Sequence, residues 1–332
     1  MPFRRSLLPA SALLISGLVL AGCASGDAET DEASSFRIVT STSVYADIVA
    51  DIVGDSADVE AVIDSAAVDP HDYEATARDS LTVSDADLVI MNGGGYDHFM
   101  DDLLETADVE HVMSVVEYSH AYPGEDGEEH SHDHADEHDH GNEGDGHDHA
   151  EADEHDHVQG FNEHVWYDPH TIEHFAEAVQ EELDELLPDA SEQVVAGTQE
   201  VLDQVAELEG RLDEIATDHD GETAFFTEPV GAYFAEAAGL TDATVEGFAE
   251  AVEHGEDVAP AVLNAAVKSI ESGEVSVLVA NAQTGGSETD RVIEAAESSD
   301  VPVIEFTETI PDGETFFAWM NANADALSDA LG

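Results

Sequence analysis

Nine histidines, His130, His132, His134, His138, His140, His147, His149, His155 and His157, are interleaved with Asp, Glu and Gly and with almost no apolar residue. Imidazole is a ligand for zinc, copper and nickel, and carboxylate is a harder partner. Such a run cannot bury enough apolar surface to offset its ordering entropy, so a mobile loop is expected over 118–160. At Phe161 the composition changes to FNEHVWYDP, with His164 flanked by Val165, Trp166 and Tyr167. That pattern reads as a folded site at the foot of a flexible one. The bland alternative is an acidic, His-rich linker with no role.

Four short segments place a ligand-type side chain in an expected loop. They are VDPHDY at 68–73 with His71, NEHVWYDP at 162–169 with His164, FTEPVG at 226–231 with Glu228, and FTETI at 306–310 with Glu308. The last two directly follow expected strands, and strand ends are where open α/β sheets bind ligands. Two imidazoles and two carboxylates give a mixed N/O shell that several divalent metals accept. Singly, each has a duller reading as a solvated or helix-capping group; Glu228 before Pro229 suits a cap. Gly93, Gly94 and Gly95 lack the G-x-G-x-x-G spacing of a dinucleotide site, and backbone turning is the expected role. His98, His111, His120, His219 and His254 read as surface residues. His170 and His174, on the first turns of the next helix, lie behind the site or are simply exposed.

The elements that must position these residues alternate. Strands are expected at 36–41, 58–63, 85–91 and 109–116, with helices at 43–54 and 99–106. Helices follow at 169–187 and 190–218. A second alternating series has strands at 224–227, 275–280 and 301–306 and helices at 229–238, 261–272, 287–298 and 315–331. Alternation implies mostly parallel sheets flanked by helices. The fold class is therefore α/β: two α/β lobes, 36–189 and 219–332, joined by one long rigid helix at 190–218. At ~1.5 Å per residue that helix runs ~40 Å, and its rigidity is expected to limit hinge motion.

Composition adds an address and a sign. Residues 1–22 have Arg4 and Arg5, an apolar run and small residues before Cys23, the pattern of a secretory signal. Leu20-Ala21-Gly22-Cys23 matches a bacterial lipobox, and Cys23 is the one cysteine of the chain, so no internal disulfide explains it. Arg4-Arg5 also fits part of a twin-arginine signal. The expectation is a protein lipidated at Cys23, tethered through 23–35 and exported to the outer face of the cell membrane. The 332 residues carry 7 Lys+Arg against 78 Asp+Glu, a formal net charge of −71. That field repels nucleic acid and attracts cations, and its spread over every segment suits high salt.

The combined segments resemble the zinc/manganese solute-binding receptors of metal ABC importers. Asp69-Pro70-His71-Asp72-Tyr73 resembles the family's Asp-Pro-His-x-Tyr motif. Asn92-Gly-Gly-Gly-Tyr96 resembles its Asn-Gly-x-Gly turn, and His164-Val-Trp-Tyr-Asp-Pro169 its His-x-Trp-x-Asp-Pro segment. Thr227-Glu228-Pro-Val-Gly231 and Phe306-Thr-Glu308-Thr-Ile310 resemble the elements carrying the third and fourth ligands. The likeness runs from about Phe36 to the C-terminus. It implies a metal held between the lobes by His71, His164, Glu228 and Glu308, a cognate ABC permease with its ATPase as partners, and no catalysis. A monomer with no nucleic-acid partner is expected.

Two positions depart from the family pattern. The third ligand is usually His in zinc receptors and Glu in manganese receptors; here it is Glu228. The fourth is usually Asp; here it is Glu308. The ligand set leans to manganese and the His-rich loop to zinc. Zinc is the preferred cargo on ligand softness, manganese the alternative, and extra ligation by Asn281 or a bidentate Glu308 would favour the latter. Rival readings are a secreted metallohydrolase, which needs an open coordination position, and a metal-buffering adhesin built on the loop.

Overall fold

Two parallel four-stranded sheets are built around the apolar runs of the chain. The computed structural model describes residues 35–123, 158 and 160–332. The expected signal segment, Cys23, nearly all of the tether and the nine histidines of 130–157 lie outside the described residues. The first sheet comprises β1 (Arg37–Thr42), β2 (Asp58–Ile63), β3 (Leu88–Met91) and β4 (Val112–Ser114), in the order β2-β1-β3-β4. The second comprises β5 (Thr223–Phe226), β6 (Thr241–Asp242), β7 (Val277–Asn281) and β8 (Val303–Phe306), in the order β6-β5-β7-β8. The two orders are the same pattern, so the second half repeats the topology of the first. β3 (LVIM) and β7 (VLVAN) are buried throughout, as central strands of doubly covered parallel sheets must be.

The helices, in chain order, are α1 (Ser43–Val53), α2 (Ala77–Ser84), α3 (His98–Leu104), α4 (Pro169–Leu186), α5 (Ser191–Asp218), α6 (Ala232–Ala237), α7 (Ala249–Glu253), α8 (Pro260–Glu271), α9 (Ser287–Ser298) and α10 (Phe316–Leu331). Most fall within a few residues of expectation. β4 is shorter than 109–116, because Val115–Tyr118 turns into a 3-10 helix. α2, β6 and α7 were not expected from the sequence. α2 buries only Val83, so it carries no apolar stripe; its one signal is the capping box in which Thr76 and Asp79 exchange hydrogen bonds. β6 is two exposed residues.

α5 has 28 residues, close to the expected bounds. It packs along its length against α1 and α4 on the first sheet's side and α10 and α6 on the second's. Gly197 is the closest approach: a Cβ there would lie 2.3 Å from the carbonyl oxygen of Ile52. One apolar cluster includes Ile38 and Leu88 of the first sheet, Val201 and Leu212 of α5, and Phe226, Val277 and Phe306 of the second sheet. Ser35–Gly332 is accordingly one compact unit. Among the described residues no helix is long and apolar enough to cross a membrane.

Candidate metal centre

Strand ends of both sheets face one buried polar site. His71 lies in the loop after β2, where Asp69 Oδ1 accepts its backbone N–H at 2.9 Å. Its ring meets Tyr96 edge-on, with centroids 4.8 Å apart. Tyr96 is set by the glycine turn after β3. Gly93, Gly94 and Gly95 all have positive φ, and a Cβ on Gly93 would lie 2.1 Å from Ser114 Oγ. The buried Asp97 closes that turn by accepting the Asn92 and Gly93 N–H groups at 2.6 and 2.9 Å. The expected turning role of these glycines is what the structure shows.

His164 is fully buried, on the segment that leads into α4. Asp168 caps α4 through the His170 N–H, and Pro169 fills its first turn, which explains the Asp-Pro pair downstream of the histidine. Asn162 Oδ1 lies 2.8 Å from His164 Nδ1. That contact fixes a proton on Nδ1 and leaves Nε2 facing inward. Nε2 stands 3.2 Å from Glu308 Oε2. His71, His164 and Glu308 each offer one donor atom within 4.8 Å of the other two. Two donors ~2.1 Å from a single ion lie at most ~4.2 Å apart, so a small side-chain shift completes a three-ligand set.

Glu228 stands one amide away. Asn281, at the end of β7, donates from Nδ2 to Glu228 Oε2 at 2.9 Å and to Glu308 Oε1 at 2.8 Å. Thr284 Oγ1 donates to the other Glu228 oxygen. Of the four expected ligands the structure groups three directly and links the fourth through Asn281. β5 and β7 are neighbours at the point where the strand order reverses, the usual ligand crevice of such sheets. Asn92 holds the equivalent place after β3, and its Nδ2 donates to the Glu163 carbonyl at 3.0 Å.

The charges are strongly coupled. Burial alone lowers the His164 pKa, but Glu308, Glu253 and Glu163 outweigh it and push it up to about 10. His71 is lowered, chiefly by burial, against the pull of Glu308. Burial raises Glu308, yet the His164 charge and hydrogen bond overcome it and hold the carboxyl below its usual range. Glu228 is raised by burial, with Thr284 and Asn281 opposing. The two shifts have one cause: His164 and Glu308 face each other in a buried site, and each favours the charged form of the other.

Sequence reasoning missed several contributors. Glu253 Oε1, at the end of α7, lies 3.7 Å from His164 Nδ1, and Glu163 is 3 % exposed. Gln283 Oε1 accepts the Glu308 N–H, while its Nε2 donates to Ala66 O at 2.8 Å and Thr309 Oγ1 at 3.1 Å. Gln283 and Thr284 immediately follow a strand, and the strand-end rule could have found them. No periodic signal marks Glu253, because α7 is only five residues long.

A family model described as zinc-uptake complex component A, periplasmic (ZnuA), matches residues 38–330. The chain belongs to the ZnuA family. It is 28 % identical over 232 residues to the manganese-binding lipoprotein MntA of Halalkalibacterium halodurans, covering 69 % of this chain and 66 % of that protein. It is 28 % identical over 189 residues to the zinc-binding lipoprotein AdcA of Streptococcus pneumoniae, covering 56 % of this chain and 33 % of AdcA. The chain thus spans less than two thirds of either relative. Its fold matches the periplasmic zinc-binding protein TroA of Treponema pallidum with a TM-score of 0.68 at 19 % identity, over 90 % of this chain and 99 % of TroA.

Proposed function

We propose that this ZnuA-family chain is the extracytoplasmic metal-binding receptor of an ABC importer. It captures a divalent ion between the two lobes and delivers it to a membrane permease driven by its ATPase. The observation that carries this reading is the convergence of His71 and His164 from one lobe with Glu308 from the other on a buried site. Glu228 swings in from its Asn281 tether as the fourth ligand. Four protein ligands leave no activated water, so the site captures and releases rather than hydrolyses. The chain acts as a monomer, exported and lipid-anchored through Cys23, and the histidines of 130–157 are auxiliary loop ligands.

The cargo is zinc. Two imidazoles and one carboxylate within reach of a single ion form a set that zinc accepts, and the loop imidazoles suit the same borderline ion. Manganese is the second reading, favoured by the oxygen-rich surroundings that Glu228, Glu163 and Glu253 supply. Competitive titration of a protein lacking residues 125–158, followed by tryptophan emission, tests both readings. Trp166 reports on the site, its ring centroid being 5.2 Å from that of His164. One tight site that prefers zinc is expected. Tighter manganese binding overturns the cargo; loss of nearly all binding overturns the receptor reading in favour of a loop-based buffer.

A further inference from the structure

A second group of histidines lies outside the cleft. His170 and His174 are one turn apart on the first two turns of α4 and share a face of that helix. Their rings meet edge-on with centroids 4.4 Å apart, and the two Nε2 atoms are 3.2 Å from each other. Two imidazoles at ~2.0–2.1 Å from one ion place their nitrogens about 3.0 Å apart at a right angle and about 3.4 Å apart at a tetrahedral angle. The observed separation, a hydrogen bond between the two rings, falls inside that window, and an ion would take the place of the shared proton.

The other ring nitrogens are also engaged. His170 Nδ1 lies 3.5 Å from Glu173 Oε2, and His174 Nδ1 lies 3.5 Å from Glu177 Oε2. A carboxylate thus stands behind each imidazole, the place from which a ligating histidine is usually oriented. A third ring, His120, sits with its centroid 6.2 Å from that of His170, and its Nδ1 lies 3.6 Å from Asp168 Oδ2. All three histidines line one surface cleft of about 310 Å³ between α4 and the 3-10 turn at Val115–Tyr118. Glu209 of α5 lies beside this cleft, with a donor within 4.8 Å of those of His170 and Glu173.

We propose that His170 and His174, with His120 rotating in from the other wall of the cleft, form a surface metal site for a borderline divalent ion such as copper, nickel or zinc, separate from the interlobe centre. Imidazole ligands select that class over magnesium, calcium or manganese. The three side chains are 64 %, 50 % and 35 % exposed, so the ion exchanges directly with solvent. The site therefore holds metal more weakly than a buried set of four ligands. It rests on surface geometry alone and stands whether or not the interlobe centre binds zinc.

Copper(II) titration of the isotope-labelled full chain, read as paramagnetic broadening of individual backbone amides, tests the site. Selective broadening of amides in 169–178 is expected. His170→Gln/His174→Gln is expected to raise the copper concentration for half-broadening at Phe175 by at least about tenfold, since even losing a ligand's support costs 10–100-fold. His170 is half exposed and His174 about one third exposed, at 50 % and 35 %, and neither belongs to the apolar core, so the variant is expected to keep the wild-type spectrum elsewhere. His120→Gln is expected to raise the same midpoint severalfold, and an unchanged midpoint removes His120 from the set. An α4 that never broadens, or one that broadens identically in the double variant because other imidazoles hold the ion, overturns the proposal.

Discussion

Replacing Asn281 is the sharpest probe of the interlobe centre. Its single amide nitrogen donates one hydrogen to Glu228 at 2.9 Å and the other to Glu308 at 2.8 Å, and the residue is 5 % exposed. Hydrogen bonds to charged groups contribute about 1.5–3 kcal/mol each. Asn281→Leu keeps the volume and removes both. In the metal-free protein the two carboxylates are left facing each other across an apolar group. Glu228, already raised by burial, loses one of the bonds that oppose the rise, so a proton competes better with the ion. Residues that orient metal ligands are worth 10–100-fold in affinity, about 1.4–2.7 kcal/mol. Chelator competition on the loop-deleted protein at neutral pH is expected to show a loss of that size for zinc. Asn281→Asp puts a third carboxylate in the same place. The metal-free protein is then expected to melt earlier and to gain more in Tm on loading than the parent. Zinc affinity of Asn281→Leu within about threefold of wild type would refute the idea that Asn281 positions the ligands.

Other perturbations test the same construction. Because the His164 pKa is raised from 6.5 to about 10, each ion bound near pH 8 is expected to release about one proton, and apparent affinity to rise about tenfold per pH unit. Calorimetry in buffers of different ionisation heat counts that proton, and a release below about 0.3 per ion contradicts it. The same raised pKa stabilises the metal-free fold fully below pH 6.5, and this contribution is lost as pH rises through about 10, so metal-free Tm is expected to fall across that range and to fall less in His164→Gln. Glu308→Gln removes the nearest of the carboxylates around His164, leaving Glu253 and Glu163, and is expected to cost up to about 3–5 kcal/mol of metal-free stability in urea unfolding. Gly197→Ala gains about 1 kcal/mol of helix propensity but drives a methyl toward the Ile52 carbonyl; a lower Tm is expected, and a higher one would show that α1 and α5 can part.

The fold was legible where the apolar pattern was dense. β3, β5 and β7 are short, largely apolar runs, and α4, α5, α9 and α10 carry clear stripes, so both parallel sheets and the long helix could be read from the chain. Elements with little to bury left no such mark, as α2 and β6 show. The four candidate ligands were found through their loops and through resemblance to a family. Their relation in space was not legible. Nothing in FTEPVG and VLVANAQTGG says that Asn281 would separate Glu228 from Glu308, because that depends on β5 and β7 being neighbours. Glu253 is a further case, brought to His164 by a short helix with no pattern of its own.

How the ion leaves follows from what joins the lobes. A free-standing strut would permit hinge bending at its ends. α5 is instead embedded, sharing one apolar cluster with both sheets. Tyr167 crosses the boundary: it stacks on Phe306 with centroids 5.4 Å apart and planes 5° apart, and its hydroxyl donates to Thr307 O at 2.9 Å. Rigid-body opening would expose Tyr167, Phe306 and Trp319 together, and burying each large aromatic contributes about 1.5–3 kcal/mol. The tie between Gln283 and the Ala66 carbonyl is a single hydrogen bond, net about 0.5–1.5 kcal/mol. The 64–76 segment that carries His71 is therefore the cheaper part to move, and release is expected to begin there. Gln283→Ala is expected to speed metal dissociation in stopped-flow chelation while leaving Tm nearly unchanged. Metal-free and loaded crystal structures related by a large lobe rotation would sink this account.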